Sequence, residues 1–167
     1  LMSVKKYTTL FLDRDGVINN KIDGYVKSFD KFNFIDGVLD SIRNLSDYFD
    51  RIIIVTNQQG IGKGVMSIEE LDLLHQKMMG DIKLNGGDID QIYYCPHLES
   101  INCACRKPKS GMLIKAQSDF PEISFDNSIL IGDSDTDILA AENIGVKAIK
   151  VSPSYTLSNW ENSFLSD

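Results

Sequence analysis

The sequence predicts an α/β protein built on a doubly wound parallel sheet, with one domain over residues 7–151. Three observations carry that expectation. Strand-like apolar runs alternate with helix-like stretches along the 167 residues. The run Arg51-Ile-Ile-Ile-Val55 is β-branched at successive positions, as a strand buried on both faces requires. And the residue types that do chemistry follow the strand-like runs, as expected where ligands bind beyond the carboxyl ends of parallel strands.

In order, Tyr7–Leu12 reads as the first strand. Asp36–Phe49 carries Val38, Leu39, Ile42, Leu45 and Phe49 at helical spacing, with Asp36 placed to cap it. Arg51–Val55 is the second strand. Ser67 to about Leu84 is a helix, because Ser67 followed three residues later by Glu70 has the form of a capping box. Gln91–Tyr94 is a short strand, and Gly111–Phe120 a helix after the Lys-Pro-Lys-Ser turn. Ser128–Ile131 is a strand, Asp135–Ile144 a helix stopped by Gly145, and Lys147–Val151 a last strand. Residues 1–6 form an N-terminal segment, and 152–167 a polar C-terminal tail of the same domain.

Composition narrows the class. The hydrophobic fraction of 43% and charged fraction of 25% are those of a globular domain. The net charge of -7 argues against general nucleic-acid binding, yet leaves room for a local cationic pocket for a small phosphorylated metabolite. There is neither an apolar run of about 18 residues nor a leader-like core in Leu1–Lys6, so no membrane partner is expected. Three cysteines crowded between 95 and 105 suit a metal site in a reducing compartment, and a cytoplasmic monomer is the expectation. Gly60-Ile-Gly62-Lys63-Gly64 lacks the spacing and hydroxyl of a nucleotide loop.

Four loops carry the chemistry. Asp13 and Asp15 end the first strand; alone, they could be a polar turn. Thr56-Asn57-Gln58-Gln59-Gly60 follows the second strand, Cys95 to Lys107 the third, and Gly132-Asp133-Ser134-Asp135-Thr136-Asp137 the fourth. Together they suit phosphoryl transfer, where a carboxylate attacks a phosphate only if the ester's charge is neutralised. Asp13 is the candidate nucleophile. Asp15 is the candidate acid for the leaving alcohol and base for the attacking water. Asp13, the backbone carbonyl of Asp15, and Asp133 would offer Mg²⁺ its hard oxygens. Thr56 offers a hydroxyl, Asn57 a backbone N–H and Lys107 a positive charge. Cys95, His97, Cys103 and Cys105 make three thiolates and one imidazole, a closed tetrahedral set for structural Zn²⁺. Zinc there would pin the loop that aims Arg106 and Lys107.

The combination Leu-Asp13-Arg-Asp15-Gly-Val, Thr56-Asn57, Lys107 and Gly132-Asp133-Ser-x-x-Asp137 resembles the four signatures of the haloacid dehalogenase superfamily of phosphohydrolases. The resemblance implies a Rossmann-like sheet, Mg²⁺ and an aspartyl-phosphate intermediate, with Asp137 behind the metal ligands. About 40 residues separate Asp15 from Thr56, which leaves no room for a cap domain there. The zinc loop and Arg106-Lys107-Pro108 are similar to a capless branch that holds the D-glycero-D-manno-heptose 1,7-bisphosphate phosphatases and the histidinol-phosphate phosphatases. Ile18-Asn19-Asn20 through Gly24-Tyr25-Val26 and Asn57-Gln58-Gln59-Gly60-Ile61 look most like the heptose branch. The five residues between His97 and Cys103 look more like the histidinol branch. Substrate contacts are expected from Asn19, Asn20, Gly24, Tyr25, Asn57, Gln58, Gln59 and Arg106, with Arg106 a fork for a second phosphate. A zinc module that binds without catalysis is the alternative of another class, and the intact acid pair argues against it.

Overall fold

The structure is a computed structural model that describes residues 5–167, so the first four residues of the N-terminal segment lie outside the described residues. Five strands, β1 (Thr9–Leu12), β2 (Arg51–Asn57), β3 (Gln91–Cys95), β4 (Ser128–Gly132) and β5 (Lys147–Lys150), form one parallel sheet in the order β3-β2-β1-β4-β5. The chain builds outward from β1 through β2 to β3, then returns to place β4 and β5 on the other side. The crevice between the ends of β1 and β4 is therefore the switch point of the sheet, where ligands of such folds bind.

Alternation along the strands divides the core. Leu10 and Leu12 of β1 face the same side as Ile52, Ile54, Ile129 and Ile131, and pack with α1 (Val38–Tyr48) and α2 (Ile68–Leu84). Phe11, Ile53, Val55 and Leu130 face the other side, against α3 (Gly111–Asp119) and α4 (Asp135–Glu142). Each fully buried Leu, Ile or Phe contributes about 1.5–3 kcal/mol, so the central strands are pinned from both sides.

Two helix ends differ from the sequence reading by two residues. Gly37, at φ 81°, is the N-cap of α1, so Asp36 lies one residue too early to cap it. The left-handed turn needed there is one that glycine adopts without strain. α4 stops at Glu142 with Asn143 as its C-cap, two residues before Ile144. The Ser67–Glu70 capping box of α2 is present in both of its hydrogen bonds, 3.0 and 3.1 Å.

The polar tail holds a fifth helix, α5 (Leu157–Ser166), started by a Thr156–Asn159 capping box. It closes the first side of the core with buried Leu157 and Trp160. Phe164 stacks on Trp160 and on Phe49 at ring separations of 4.7 and 5.6 Å. Between β1 and β2 stand only a single helical turn at Phe29–Lys31 and α1, which leaves the carboxyl edge of the sheet open on that side.

Candidate active site

The strand β1 ends at Leu12, and the backbone then turns on one carbonyl. The Arg14 oxygen accepts from the N–H groups of Val17, Ile18 and Asn19 at 2.8–3.3 Å. Gly16 makes this possible at φ 85°, and a Cβ there would meet Asp133 Oδ2 at 2.1 Å. The tight turn thus brings the loop after β1 against the loop after β4.

Lys107 lies at the centre of the site and is 5% exposed. Its ammonium donates to Asp13 Oδ1 at 2.9 Å, to the Val55 carbonyl at 3.0 Å and to Asp137 Oδ1. All three of its N–H donors are thereby used. Burial pulls its pKa down, but the two carboxylates outweigh that and hold the ammonium charged. Burial pushes Asp13 up to about 7 against the pull of Lys107, with the Asp137 charge adding to the rise. Asp137, 1% exposed, also receives the Ser134 N–H and hydroxyl, so the cap of α4 fixes it.

Asp13, Asp133 and Asp137 each bring a carboxylate oxygen within 4.8 Å of the others. Asp133 Oδ1 is buried without a hydrogen-bond partner, and its Oδ2 meets the Lys21 ammonium at 2.6 Å. Three carboxylates against one buried lysine, with an orphaned oxygen among them, fit a hard divalent cation.

Asp15 points elsewhere. Its Oδ1 accepts from Arg14 Nη2 at 2.8 Å, Arg14 Nε at 3.3 Å and Asn19 Nδ2 at 2.9 Å. Its Oδ2 accepts from Gln58 Nε2 at 2.9 Å. Burial alone would raise its pKa, but Arg14, then Asn19 and Gln58, hold it below the usual carboxylate range. Thr56 is fully buried, and its hydroxyl accepts from Gln58, which leaves its own proton free to donate. Asn57 staples the loops: its Oδ1 accepts from the Lys107 N–H at 3.0 Å and its Nδ2 donates to the Lys107 carbonyl at 3.2 Å.

Cys95, His97, Cys103 and Cys105 converge. The pairs Cys95–Cys103, Cys103–Cys105 and Cys95–His97 Nδ1 each stand at 3.6 Å, Cys105–His97 Nδ1 at 3.3 Å and Cys95–Cys105 at 2.9 Å. A tetrahedral zinc with its usual bond lengths would set S···S edges near about 3.8 Å and S···N edges near about 3.6 Å. The donor set and most of its edges fit such an ion with small outward movement of Cys105.

A cavity of about 320 Å³ opens beside Asp15. Gly24, Tyr25, Asn57, Gln58, Gln59 and Arg106 line it, six of the eight residues expected to touch substrate. The other two lie elsewhere. Asn19 is fully buried beneath Asp15, its amide nitrogen donating to that carboxylate, and Asn20 lines a neighbouring cavity with Gly16 and Asp133. Lys21 lines both cavities and was missed, because one lysine after two asparagines carries no motif. Arg106 brings a second cation, and its Nη1 is buried without a partner.

Residues 104–159 match the HAD-hydrolase-like family model, which gives the class: a haloacid dehalogenase-like hydrolase. The chain is 41% identical over 155 residues to the D-glycero-beta-D-manno-heptose-1,7-bisphosphate 7-phosphatase of Salmonella typhi, covering 87% of this chain and 81% of that one. It is 36% identical over 140 residues to the D-glycero-alpha-D-manno-heptose-1,7-bisphosphate 7-phosphatase of Mycobacterium tuberculosis, covering 83% and 74%. A crystal structure of D,D-heptose 1,7-bisphosphate phosphatase from B. bronchiseptica, complexed with magnesium and phosphate, superposes with a TM-score of 0.89 at 28% identity, over 95% of this chain and 98% of that one. The chain belongs to the heptose-1,7-bisphosphate 7-phosphatase family of these hydrolases, a family of phosphatases.

Proposed function

We propose that this enzyme removes the C7 phosphate of D-glycero-D-manno-heptose 1,7-bisphosphate through an aspartyl-phosphate on Asp13. The observation that carries the reading is the pairing of a buried, lysine-held Asp13 with a polar cavity bearing two cations, Lys21 and Arg106. A bisphosphorylated sugar brings two anionic groups and a row of hydroxyls. The reacting phosphate belongs at Asp13, and the second suits the unpartnered guanidinium of Arg106. Gln58, Gln59 and Tyr25 suit the hydroxyls. Histidinol phosphate, which carries an ammonium group, would meet those same two cations as repulsion, so the cavity outweighs the short cysteine loop.

In this mechanism Lys107 holds Oδ1 of Asp13, and the other carboxylate oxygen attacks phosphorus. As the P–O bond to the sugar breaks, the leaving alkoxide takes a proton from Asp15. The free Asp15 is an anion; the arriving phosphate dianion raises its pKa and favours the protonated acid. Asp15 then takes a proton from the water that attacks the aspartyl-phosphate, which releases phosphate and restores Asp13. The Thr56 hydroxyl and the Asn57 N–H orient the phosphoryl oxygens. Mg²⁺, held by Asp13, Asp133 and the Asp15 carbonyl, supplies charge neutralisation to the phosphoryl group when bound. Zn²⁺ in the cysteine cluster is structural, because four protein donors leave no position for a water. Among the described residues no helix is long and apolar enough to cross a membrane. A cytoplasmic monomer is the setting we infer, since three cysteines free of disulfides suit a reducing compartment.

The test is phosphate release by the zinc-loaded protein with Mg²⁺ from both anomers of the heptose bisphosphate and from histidinol phosphate. A preference for either bisphosphate supports the reading and identifies the anomer; a preference for histidinol phosphate overturns it. Asp13→Asn should abolish turnover in a folded protein, and residual turnover there would remove Asp13 as nucleophile.

A further inference from the structure

We propose that His75 is a positioning residue for Asp15, acting through Arg14. The inference rests on the reading of Asp15 as the acid and base of the reaction. The geometry is a buried relay from α2 to the catalytic turn. Arg14 is 0% exposed and His75 6%. Arg14 Nη1 meets His75 Nε2 at 3.0 Å, while Nη2 and Nε both reach Asp15 Oδ1. The Phe32 ring lies under the guanidinium at 5.9 Å.

The tautomer follows from the partner. A guanidinium has no lone pair to give, so the hydrogen bond exists only with Nε2 unprotonated. His75 must then be neutral with its proton on Nδ1. Burial, followed by the Arg14 charge, agrees by pushing its pKa down to about 3. His75 lines a cavity of about 460 Å³ with Asp72, Gln76 and Tyr94, and none of these residues lines the cavity beside Asp15. His75 therefore touches neither substrate nor Asp15.

What it does is fix a rotation. Arg14 is shut off from bulk solvent, and without an acceptor at Nη1 its planar fork can turn to find one. The two N–H groups on Asp15 Oδ1 are rigidly joined to Nη1, so any turn moves them too. Asp15 would keep only Asn19 and Gln58, which approach from the loops after β1 and β2. The Ser67 capping box anchors the start of α2, and His75 lies two turns along it with Leu71, Leu74 and Met78 in the core. The relay thus refers the acid to a capped helix whose inner face is packed in the core.

The test compares His75→Leu, which keeps volume and loses the acceptor, with His75→Gln, whose side-chain oxygen can replace Nε2. Both are assayed as zinc- and Mg²⁺-loaded protein whose folding is checked by thermal unfolding. A well-placed acid is worth about 10²–10⁴ in rate, so His75→Leu should lower kcat/KM for a sugar phosphate by about 10-fold. With p-nitrophenyl phosphate, whose leaving group needs no proton, the loss should stay within about 2-fold by the same reasoning. His75→Gln should recover most of the sugar-phosphate rate. In the wild-type protein, ¹⁵N spectra should show Nε2 of His75 unprotonated at neutral pH.

Equal losses on both substrates, no rescue by glutamine, or a proton on Nε2 would each overturn the proposal. Asp15→Asn separates the two levels. If it is as active as wild type, the acid role of Asp15 falls; if it is dead while His75→Leu is unaffected, only the role of His75 falls.

Discussion

Replacing Lys107 by methionine should unfold much of what burial has assembled, and by an amount the geometry allows one to work out. The substitution keeps the length and apolar stem of the side chain and removes one charge. It leaves Asp13 and Asp137, 10% and 1% exposed at their side chains, without their common cation, and the Val55 carbonyl without a donor. Breaking a buried ion pair by removing one partner costs about 3–5 kcal/mol. The independent sum agrees in order: three hydrogen bonds from the charged ammonium at about 1.5–3 kcal/mol each. For a domain of this size that is a fall in Tm of about 6–20 °C. The loss should depend on pH. Asp13 already has a folded pKa near 7, above its unfolded 3.8, so its contribution is favourable below the unfolded value and lost as pH rises through the folded one. Without Lys107 that folded pKa climbs further. Urea unfolding of metal-free wild type and Lys107→Met should therefore show a larger difference at pH 8 than at pH 5. A difference below about 1 kcal/mol at pH 8, or the same difference at both pH values, would refute the account of Lys107 as the cation for both acids.

The remaining expectations follow the same logic. Cys103→Ser should lower the bound zinc and the melting temperature before it lowers activity, and metal analysis alongside a thermal scan checks both; a full complement of zinc would break the four-donor set. Trp160→Ala should cost about 3–5 kcal/mol, because it empties the space under α5 beside Phe49 and Phe164, and urea unfolding measures it. Arg106→Ala should reduce kcat/KM for the bisphosphate by about 10–100-fold while a monophosphate loses far less, the scale of one charge-assisted contact. His75 has a folded pKa near 3 against 6.5 unfolded, so it stabilises fully above pH 6.5 and that contribution is lost as pH falls toward 3. His75→Leu should remove that part of the acid dependence, seen as a shallower stability curve between those limits.

Much of this was legible because the sheet is buried on both faces. A strand such as Ile52–Val55 must be apolar at every position, and the residues that break the apolar run at its end must be where the solvent edge begins. The placing of Asp13, Thr56 and Asp133 at that edge followed from this, whereas Lys107 lies twelve residues beyond the end of β3. The side to which a turn points did not follow. Asn19 and Asn20 are adjacent and identical in type, yet the Arg14 carbonyl turns one under Asp15 and leaves the other on a second cavity. Arg14 carries no sequence signal of its own between the two aspartates, and its partner on α2, His75, is 61 residues away. α5 was missed for a different reason. Leu157, Trp160 and Phe164 have helical spacing, but serine and asparagine fill the gaps, and its capping box ends in Asn159 where Glu or Gln is the usual sign.

The cysteine loop and Lys107 form one mechanical unit. A buried ammonium with three acceptors tolerates displacements of only tenths of an ångström, yet Lys107 belongs to no helix or strand. Its position is set from both sides of the chain. Upstream, Cys105 is held with Cys95, and Cys95 is the last residue of β3. Downstream, the Gly111 N–H donates to the Ala104 carbonyl at 3.0 Å, in a closure so tight that a Cβ on Gly111 would stand 2.2 Å from that oxygen. Laterally, both backbone groups of Lys107 are bonded to Asn57 at the end of β2. Two strand ends, a thiolate cluster and a closed loop thus define one nitrogen atom. Removing the metal that we propose for the cysteine cluster should therefore lower turnover without touching the substrate cavity, because a loosened cluster would shift Lys107 away from Asp13; phosphate release before and after chelation measures it, and unchanged turnover in zinc-free protein would refute the coupling.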